Sequence, residues 1–150
     1  MTDDYQAKRL DMDPKVFRYD RLVKSEDLNH HRTLFAGRCA EWFVEAGFIA
    51  VASVLPARNI VCLKIHGLAF TKPLQSGDIA CFESKVIYSG RSSLKVYVTL
   101  KENNQDDPVL EGFITFVHVN DYGEAQPHGL RLDLTDPKDI ELNQRASKLR

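Results

Sequence analysis

The longest hydrophobic feature of the chain runs from about Leu34 to about Val54. Its apolar residues recur at spacings of three and four, which is the period of an α-helix that buries one side. From Trp42 onward nearly every side of this segment is apolar, so we expect a helix that is covered from more than one direction. Thr33 is its predicted N-cap. Gly47 costs roughly 1 kcal/mol of helix propensity, which indicates that a neighbouring element approaches it closely.

Strand-like segments flank this helix along the chain. One precedes it and four follow it: residues 15–24, 59–70, 79–88, 92–101 and 109–119. Apolar and polar residues alternate in 92–101, which predicts a strand with one buried and one wet face. Residues 1–14 are polar, and we expect a loose arm there. A short helix over about 136–150 is predicted to close the chain, with Asp136 as its N-cap.

This order of elements indicates an α+β domain in which an antiparallel sheet curls around one long helix. Residues 1–150 contain no internal repeat, low-complexity tract or linker, so a single domain is expected. The outer face of such a sheet, or its edge strand, normally pairs with another copy of the chain. The sequence therefore predicts a homo-oligomer.

Charge and hydropathy exclude several classes of partner. The chain has 20 Lys and Arg against 21 Asp and Glu and no basic stripe interleaved with aromatic residues, so no nucleic acid partner is expected. The apolar run 42–55 is too short to span a membrane and contains Glu45, and the N-terminus shows no signal peptide. Cys39, Cys62 and Cys81 lack metal-ligand spacing, which indicates buried, reduced thiols in a cytoplasmic protein.

Three short segments carry further information in their order and spacing. Residues 27–37 read Asp-Leu-Asn-His-His-Arg-Thr-Leu-Phe-Ala-Gly and lead into the predicted helix. Residues 67–78 contain the pattern Phe-x-x-Pro-x-x-x-Gly-Asp, and residues 90–93 read Gly-Arg-Ser-Ser. Together they resemble the acyl-CoA thioesterases of the hotdog fold over roughly residues 16–125. The resemblance implies a sheet wrapped around a central helix, acyl-CoA as the substrate, and a site built between two protomers. It implies a dimer as the assembly unit, alone or within a tetramer or hexamer.

The chain departs from the family pattern at three positions. Arg32 and Ala36 stand where the family has glycine. Val44 occupies the helix position at which many members carry a catalytic Asp, and Glu45 matches an acidic residue that often follows it. The resemblance therefore leaves the identity of the catalytic carboxylate open.

Hydrolysis of a thioester needs a polarised carbonyl and a carboxylate that acts as base or nucleophile. Backbone N–H groups at Ala36 and Gly37, at the positive end of the helix, suit a developing oxyanion. Asn29 is predicted to orient water or the carbonyl, and an Asx turn leading into the helix is the alternative. Glu45 and Glu41 are the candidate carboxylates. They share a helix face, so a buried pair needs a proton or a cation, and Glu45 as a paired structural residue is the alternative.

A turn at Arg91, Ser92 and Ser93 is predicted to bind CoA phosphate through the guanidinium and backbone groups. In the resembled family this turn lies near the CoA nucleotide, and a solvated hairpin turn is the alternative. Lys72 is a second phosphate candidate. No cofactor is expected, because CoA is part of the substrate.

The five histidines do not predict a metal site. His30 and His31 are expected in the loop beside the site, with one side chain pointing inward and no further ligands spaced to join them. His66, His118 and His128 are expected to be structural or solvated.

The leading hypothesis is an acyl-CoA thioesterase that uses Asn29 and a helix glutamate. The second is a hydroxyacyl thioester dehydratase, in which His30 or His31 acts with Glu45, although the Gly-His-Phe-Pro sequence of those enzymes is absent. The third is a non-catalytic acyl-CoA-binding module that lost hydrolysis with Val44.

Overall fold

Residues 10–150 are described by the computed structural model, with side chains from Met12 onward. Seven strands and two α-helices follow one another along these residues. They are β1 (Leu10–Met12), β2 (Phe17–Leu22), α1 (Ala36–Ala52), β3 (Ile60–His66), β4 (Ile79–Ser89), β5 (Ser93–Glu102), β6 (Leu110–His118), β7 (Leu130–Leu132) and α2 (Pro137–Ser147). Single turns of 3-10 helix lie at Ser25–Asp27 and Ala57–Asn59.

Five strands form one antiparallel sheet in the order β2-β4-β5-β6-β3. Helix α1 contacts all five of these strands, so the sheet surrounds the helix as predicted. The buried helix residues Trp42 and Phe43 belong to the same core as Phe82 of β4 and Phe116 of β6. This confirms the α+β arrangement of a sheet around one long helix.

Close packing between α1 and the sheet depends on Gly47. A Cβ atom built at that position would lie 2.9 Å from Cδ1 of Ile114, so the glycine lets the helix approach β6, as predicted. The start of α1 differs from the prediction. Its N-cap is Phe35, which makes no side-chain capping bond, because the Thr33 hydroxyl accepts instead from Nδ2 of Asn29 at 3.0 Å.

The core position of Phe43 leads to a stability prediction. Phe43 is 0% exposed, and we expect Phe43→Ala to lower the free energy of unfolding by about 3–5 kcal/mol through lost burial and a residual cavity. Phe35 is 55% exposed, so Phe35→Ala should change it by no more than about 0.5 kcal/mol. Urea unfolding measures both variants. Equal losses would contradict the placement of α1 in the core.

The outer face of the sheet is covered by α2. Asp136 caps this helix by accepting from the backbone N–H of Lys138 at 2.9 Å, as predicted. The Lys85 ammonium lies 2.7 Å from Asp139 near the start of the helix. At its end, the buried Lys95 donates to the carbonyl oxygens of Ala146 at 2.8 Å and Leu149 at 2.9 Å. Two lysines therefore fasten α2 across β4 and β5.

Residues 10–12 pair with residues 130–132, and the sequence pattern does not predict this pairing. Strand β1 pairs in parallel with β7, so the described part of the expected loose arm, residues 10–14, includes a strand. Residues 1–9 of that arm lie outside the described residues. Strands of three residues are too short for alternation to mark them.

Strand β3 ends the sheet, and no strand of residues 10–150 pairs with its outer edge. A register shift lies between Cys62 and Lys64, and Leu63 is 67% exposed. Cys62 is exposed too, which corrects the expectation of three buried thiols, while Cys39 and Cys81 are buried and all three are free. Neither helix of residues 10–150 is long and apolar enough to cross a membrane.

Candidate functional site

The loop before α1 fixes the side chain of Asn29. Its Oδ1 accepts from the backbone N–H groups of His31 at 2.9 Å and Thr33 at 3.2 Å, which is an Asx turn. Nδ2 donates one of its two protons to the Thr33 hydroxyl, and the other makes no hydrogen bond within residues 10–150. Arg32 closes the turn at φ 61°, a conformation that favours glycine and that agrees with glycine at this position in the resembled family. The turn therefore orients Asn29 as a hydrogen-bond donor.

Asn29 lies at a cavity of about 220 Å³, which we call the Asn29 cavity. Thr33, Ala36 and the segment around Phe70 and Lys72 also line it, together with the ends of β5 and β6. Four buried apolar residues form its floor: Cys39, Leu74, Leu100 and Leu110. The cavity therefore has a polar rim at Asn29 and an apolar interior.

The N-terminus of α1 opens onto this cavity, since Ala36 lines it. Two backbone bonds hold the approach: Leu34 donates to Leu74 O at 2.9 Å, and Phe35 donates to Asp27 O at 2.9 Å. No side chain caps the helix, so the N–H groups of Ala36 and Gly37 supply the positive end of the helix dipole. This end suits a developing negative charge on a bound carbonyl.

The Asn29 cavity has no carboxylate among the described residues that line it. Lys72 is its one charged lining residue there and pairs with Glu102 at 2.8 Å. Burial raises the pKa of the Cys39 thiol to about 12, so this thiol stays protonated at neutral pH and is a poor nucleophile.

Glu45 lies in a second, open hollow of about 340 Å³, the Glu45 hollow, with Tyr19, Val44, Phe48 and Ile49. Its Oε2 accepts from the Tyr19 hydroxyl at 3.1 Å, and its Oε1 accepts no hydrogen bond from residues 10–150. Burial raises the pKa of Tyr19, which keeps this hydroxyl a donor. One carboxylate oxygen of Glu45 is thus hydrogen-bonded to Tyr19, and the other is available to accept a further hydrogen bond.

Tyr19 is itself held by Arg21, whose Nη1 donates to the Tyr19 hydroxyl at 2.8 Å. The same guanidinium lies 4.9 Å from the ring of Trp42. Sequence reasoning placed both β2 residues in an alternating strand but gave neither a role near the site. Their approach to α1 depends on the curl of the sheet, which no local pattern reports.

One protomer does not bring Asn29 and Glu45 together. Glu45 follows Ala36 by nine residues, which is about 13 Å along the axis of an α-helix. The Asn29 cavity and the Glu45 hollow share no lining residue. Glu41 lines neither of them, is exposed, and lies 3.8 Å from Arg38 on the helix surface.

The predicted phosphate turn joins β4 to β5. Arg91 is exposed at its tip, and the backbone N–H of Gly90 donates to Ser93 O at 2.9 Å. Buried His128 anchors the turn. Its backbone N–H donates to Arg91 O at 3.2 Å, and its ring Nε2 donates to Ser93 O at 2.9 Å. No sequence signal marked His128 for this role, because it stands in an irregular polar segment.

Low pH should loosen this anchor. His128 Nδ1 accepts from the N–H of Leu130 at 3.0 Å, and burial lowers the pKa of the ring. Its stabilising contribution is present above the unfolded pKa of about 6.5 and is lost as the pH falls through the lower folded value. We expect the melting temperature to fall less between pH 7.5 and 5 in His128→Gln than in the wild type. His30→Gln, at an exposed position, should keep the wild-type slope, and equal slopes in all three proteins would contradict the assignment.

None of the other four histidines lines the Asn29 cavity or the Glu45 hollow, which corrects the expectation that His30 or His31 points into the site. His30 and His31 are both exposed, with ring centroids 4.3 Å apart. His66 bonds Thr115 through Nε2 at 2.6 Å, and His118 bonds Gln126 O through Nδ1 at 3.1 Å. Within residues 10–150, no three His, Cys, Asp or Glu side chains are grouped so that they would hold a metal ion.

Comparison with solved structures agrees with this architecture. A hexameric acyl-CoA thioesterase superposes with a TM-score of 0.79 at 25% identity, over 88% of this chain and 86% of that one. The acyl-CoA hydrolase of Staphylococcus aureus, solved with butyryl-CoA and CoA, gives 0.74 at 25% identity over 89% and 80%. That enzyme was also solved with one asparagine, one aspartate or one threonine changed to alanine. The hotdog fold expected from the sequence is confirmed.

Sequence comparison extends the likeness. The acyl-CoA thioester hydrolase YkhA of Bacillus subtilis, itself uncharacterised, is 30% identical over 105 residues. The match covers 67% of this chain but only 60% of the length of that relative. The family model of the thioesterase superfamily matches residues 31–109, which is more than half of the chain. The matched range begins at His31, two residues after Asn29, and includes α1 and the 90–93 turn. The chain therefore belongs to the thioesterase superfamily.

Proposed function

We propose that the protein hydrolyses acyl-CoA thioesters to a free acid and CoA at the Asn29 cavity. The observation that carries this proposal is the Asx turn, which saturates Oδ1 of Asn29 and leaves an Nδ2 proton for a ligand at an apolar-floored cavity. A thioester carbonyl placed there accepts from Asn29. The N-terminal N–H groups at Ala36 and Gly37 add stabilisation as negative charge develops on the carbonyl oxygen.

A carboxylate completes the reaction. Water attacks the carbonyl carbon and gives a proton to Glu45, the carbon–sulfur bond then breaks, and Glu45 returns that proton to the leaving CoA thiolate. Glu45 is favoured over Glu41, because Glu45 lies in a hollow with one carboxylate oxygen available, whereas Glu41 is exposed beside Arg38. Tyr19 serves to position Glu45.

We infer that Glu45 reaches the thioester from a second protomer. The Asn29 cavity lacks a carboxylate among its described lining residues, and Glu45 lies about 13 Å along the helix axis from Ala36 at its N-terminus. The unpaired edge of β3, with Leu63 exposed, is suited to pairing with the same strand of another copy. A dimer is therefore the proposed unit, and the similar hexameric thioesterase supports a larger assembly built from it.

The nucleotide end of CoA is assigned to the β4–β5 turn. Arg91 is exposed at its tip, free to pair with phosphate, while His128 holds the backbone around Ser92 and Ser93 in place. Lys72, already paired with Glu102, is the weaker phosphate ligand. The free thiols support the proposed cytoplasmic location.

A second function, acyl-CoA binding without turnover, is favoured by one observation. Val44 stands in the Glu45 hollow where many family members carry a catalytic Asp, and Glu45 beside it is already engaged by Tyr19. In that case acyl-CoA raises the melting temperature but is not consumed, and Val44→Asp creates hydrolysis.

A panel of acyl-CoAs with a thiol reagent tests the two functions against each other. The thioesterase predicts CoA thiol release by the wild-type protein for at least one acyl chain length, and no marked gain in Val44→Asp. A melting temperature raised by acyl-CoA, with no thiol release from any chain length, would contradict the proposed hydrolysis.

A further inference from the structure

We propose that the Asn29 cavity restricts the enzyme to unsubstituted acyl chains of up to roughly eight carbons, with Leu100 and Leu110 setting this upper limit. This inference rests on the proposed function, because it assumes that the acyl group enters beside Asn29. It adds the substrate class and the residues that select it.

The size of the cavity gives the length. An apolar protein cavity of about 150 Å³ holds benzene, which is roughly 25 Å³ for each carbon atom. At that ratio a cavity of about 220 Å³ holds about eight or nine carbons when it is full. The carbonyl carbon must stay at the rim beside Asn29, and part of the rim is open, so the chain that fills the interior is shorter.

The chemistry of the floor gives the type of chain. Leu74, Leu100 and Leu110 are buried and apolar, and burial keeps the Cys39 thiol neutral. The polar lining residues, Asn29, Thr33 and Lys72, are less buried and belong to the rim. An acyl chain with a hydroxyl or carboxylate at its far end would lose its water without gaining a partner, so such chains are rejected.

The floor offers a matched pair of variants. Leu94 and Leu100 both lie on β5, both are 1% exposed, and both belong to the same core. Leu100 lines the cavity and Leu94 does not. Leu100→Ala removes three carbons from the floor and should lengthen the accepted chain, whereas Leu94→Ala leaves a void elsewhere and should not.

Val109 offers a test in the opposite direction. It lines the cavity just before β6 and is only half-buried, so a larger side chain there should fill space without disrupting the core. Val109→Phe is expected to shorten the accepted chain, and it keeps the inference testable if Leu100→Ala fails to fold.

Binding of non-hydrolysable S-alkyl-CoA thioethers, from two to fourteen carbons, measures the cavity without turnover. In the wild type, calorimetry should show roughly fourfold tighter binding for each added methylene until the cavity is full, then weaker binding for longer chains. The optimum should move longer by about two or three carbons in Leu100→Ala, move shorter in Val109→Phe, and stay unchanged in Leu94→Ala.

Any of three results would overturn the inference: affinity that keeps rising to fourteen carbons, an optimum that moves equally in Leu94→Ala and Leu100→Ala, or absence of binding at every length. Turnover of the matching thioesters distinguishes a failure of the chain-length inference from a failure of the proposed hydrolysis. Length-selective binding without thiol release supports the cavity and contradicts the hydrolysis, whereas hydrolysis at equal rates for all lengths contradicts the cavity alone.

Discussion

Asn29→Asp is expected to lower kcat/KM for acyl-CoA by roughly 10²- to 10³-fold, which is the effect of removing one oxyanion donor. An aspartate keeps an oxygen at Oδ1, so it still accepts from the N–H groups of His31 and Thr33. It replaces the donor Nδ2 with an acceptor that repels the carbonyl oxygen. Steady-state kinetics with a thiol reagent measures the loss.

Asn29→Ala is the companion variant. It removes the donor and the Asx turn together, so it should lose comparable activity and also lower the melting temperature. Asn29→Asp should leave the melting temperature close to that of the wild type. If Asn29→Asp retains activity within about threefold, far short of a donor's usual contribution, Asn29 is a turn residue and not a catalytic one.

Glu45→Gln should lower kcat by roughly 10²- to 10⁴-fold, the range for a lost general base, with little change in KM. The amide oxygen of glutamine still accepts from the Tyr19 hydroxyl, so the structure of the hollow is kept. Steady-state kinetics with a thiol reagent measures kcat and KM separately, so a loss confined to kcat is the diagnostic.

Glu41→Gln is the matched control on the same helix. Its carboxylate is exposed and only 3.8 Å from Arg38, a surface pair of small energetic value, so kcat should stay within roughly twofold of the wild type. A large loss in Glu41→Gln with normal activity in Glu45→Gln would exchange the two assignments.

Much of the fold follows from the hydrophobic pattern. The predicted central helix ends within two residues of the observed Ala36–Ala52, and each of the five predicted strands is present in the sheet. The close approach of β6 at Gly47 is predictable, because a residue of low helix propensity inside a long apolar helix indicates close packing against a neighbouring element. Local periodicity is sufficient where an element is long.

Short and non-local features were missed for a physical reason. Strands β1 and β7 have three residues each and depend on pairing between residues that are more than 100 positions apart in the sequence. The Thr33 hydroxyl was assigned to the helix cap, but Asn29 competes for it through the Asx turn. Competition between two local hydrogen-bonding patterns is decided by the folded loop and not by residue type.

Residue chemistry and the family resemblance name candidate site residues but do not give their layout. Asn29 and Glu45 were chosen from residue chemistry and from a family resemblance, which do not state which protomer supplies each group. The structure shows that the Asn29 cavity and the Glu45 hollow share no lining residue, and it adds the contacts of Tyr19 with Glu45 and of His128 with Arg91. Each of those two contacts joins segments that are distant in sequence.

The central claim is that one active site takes Asn29 from one protomer and Glu45 from its partner. Asn29→Asp and Glu45→Gln, each nearly inactive alone, are mixed in equal amounts, dissociated and reassociated. Half of the dimers then carry one of each variant, and each of these has one intact site, so activity should recover to about one quarter of the wild type. A mixture no more active than the average of its two parents would contradict the shared site.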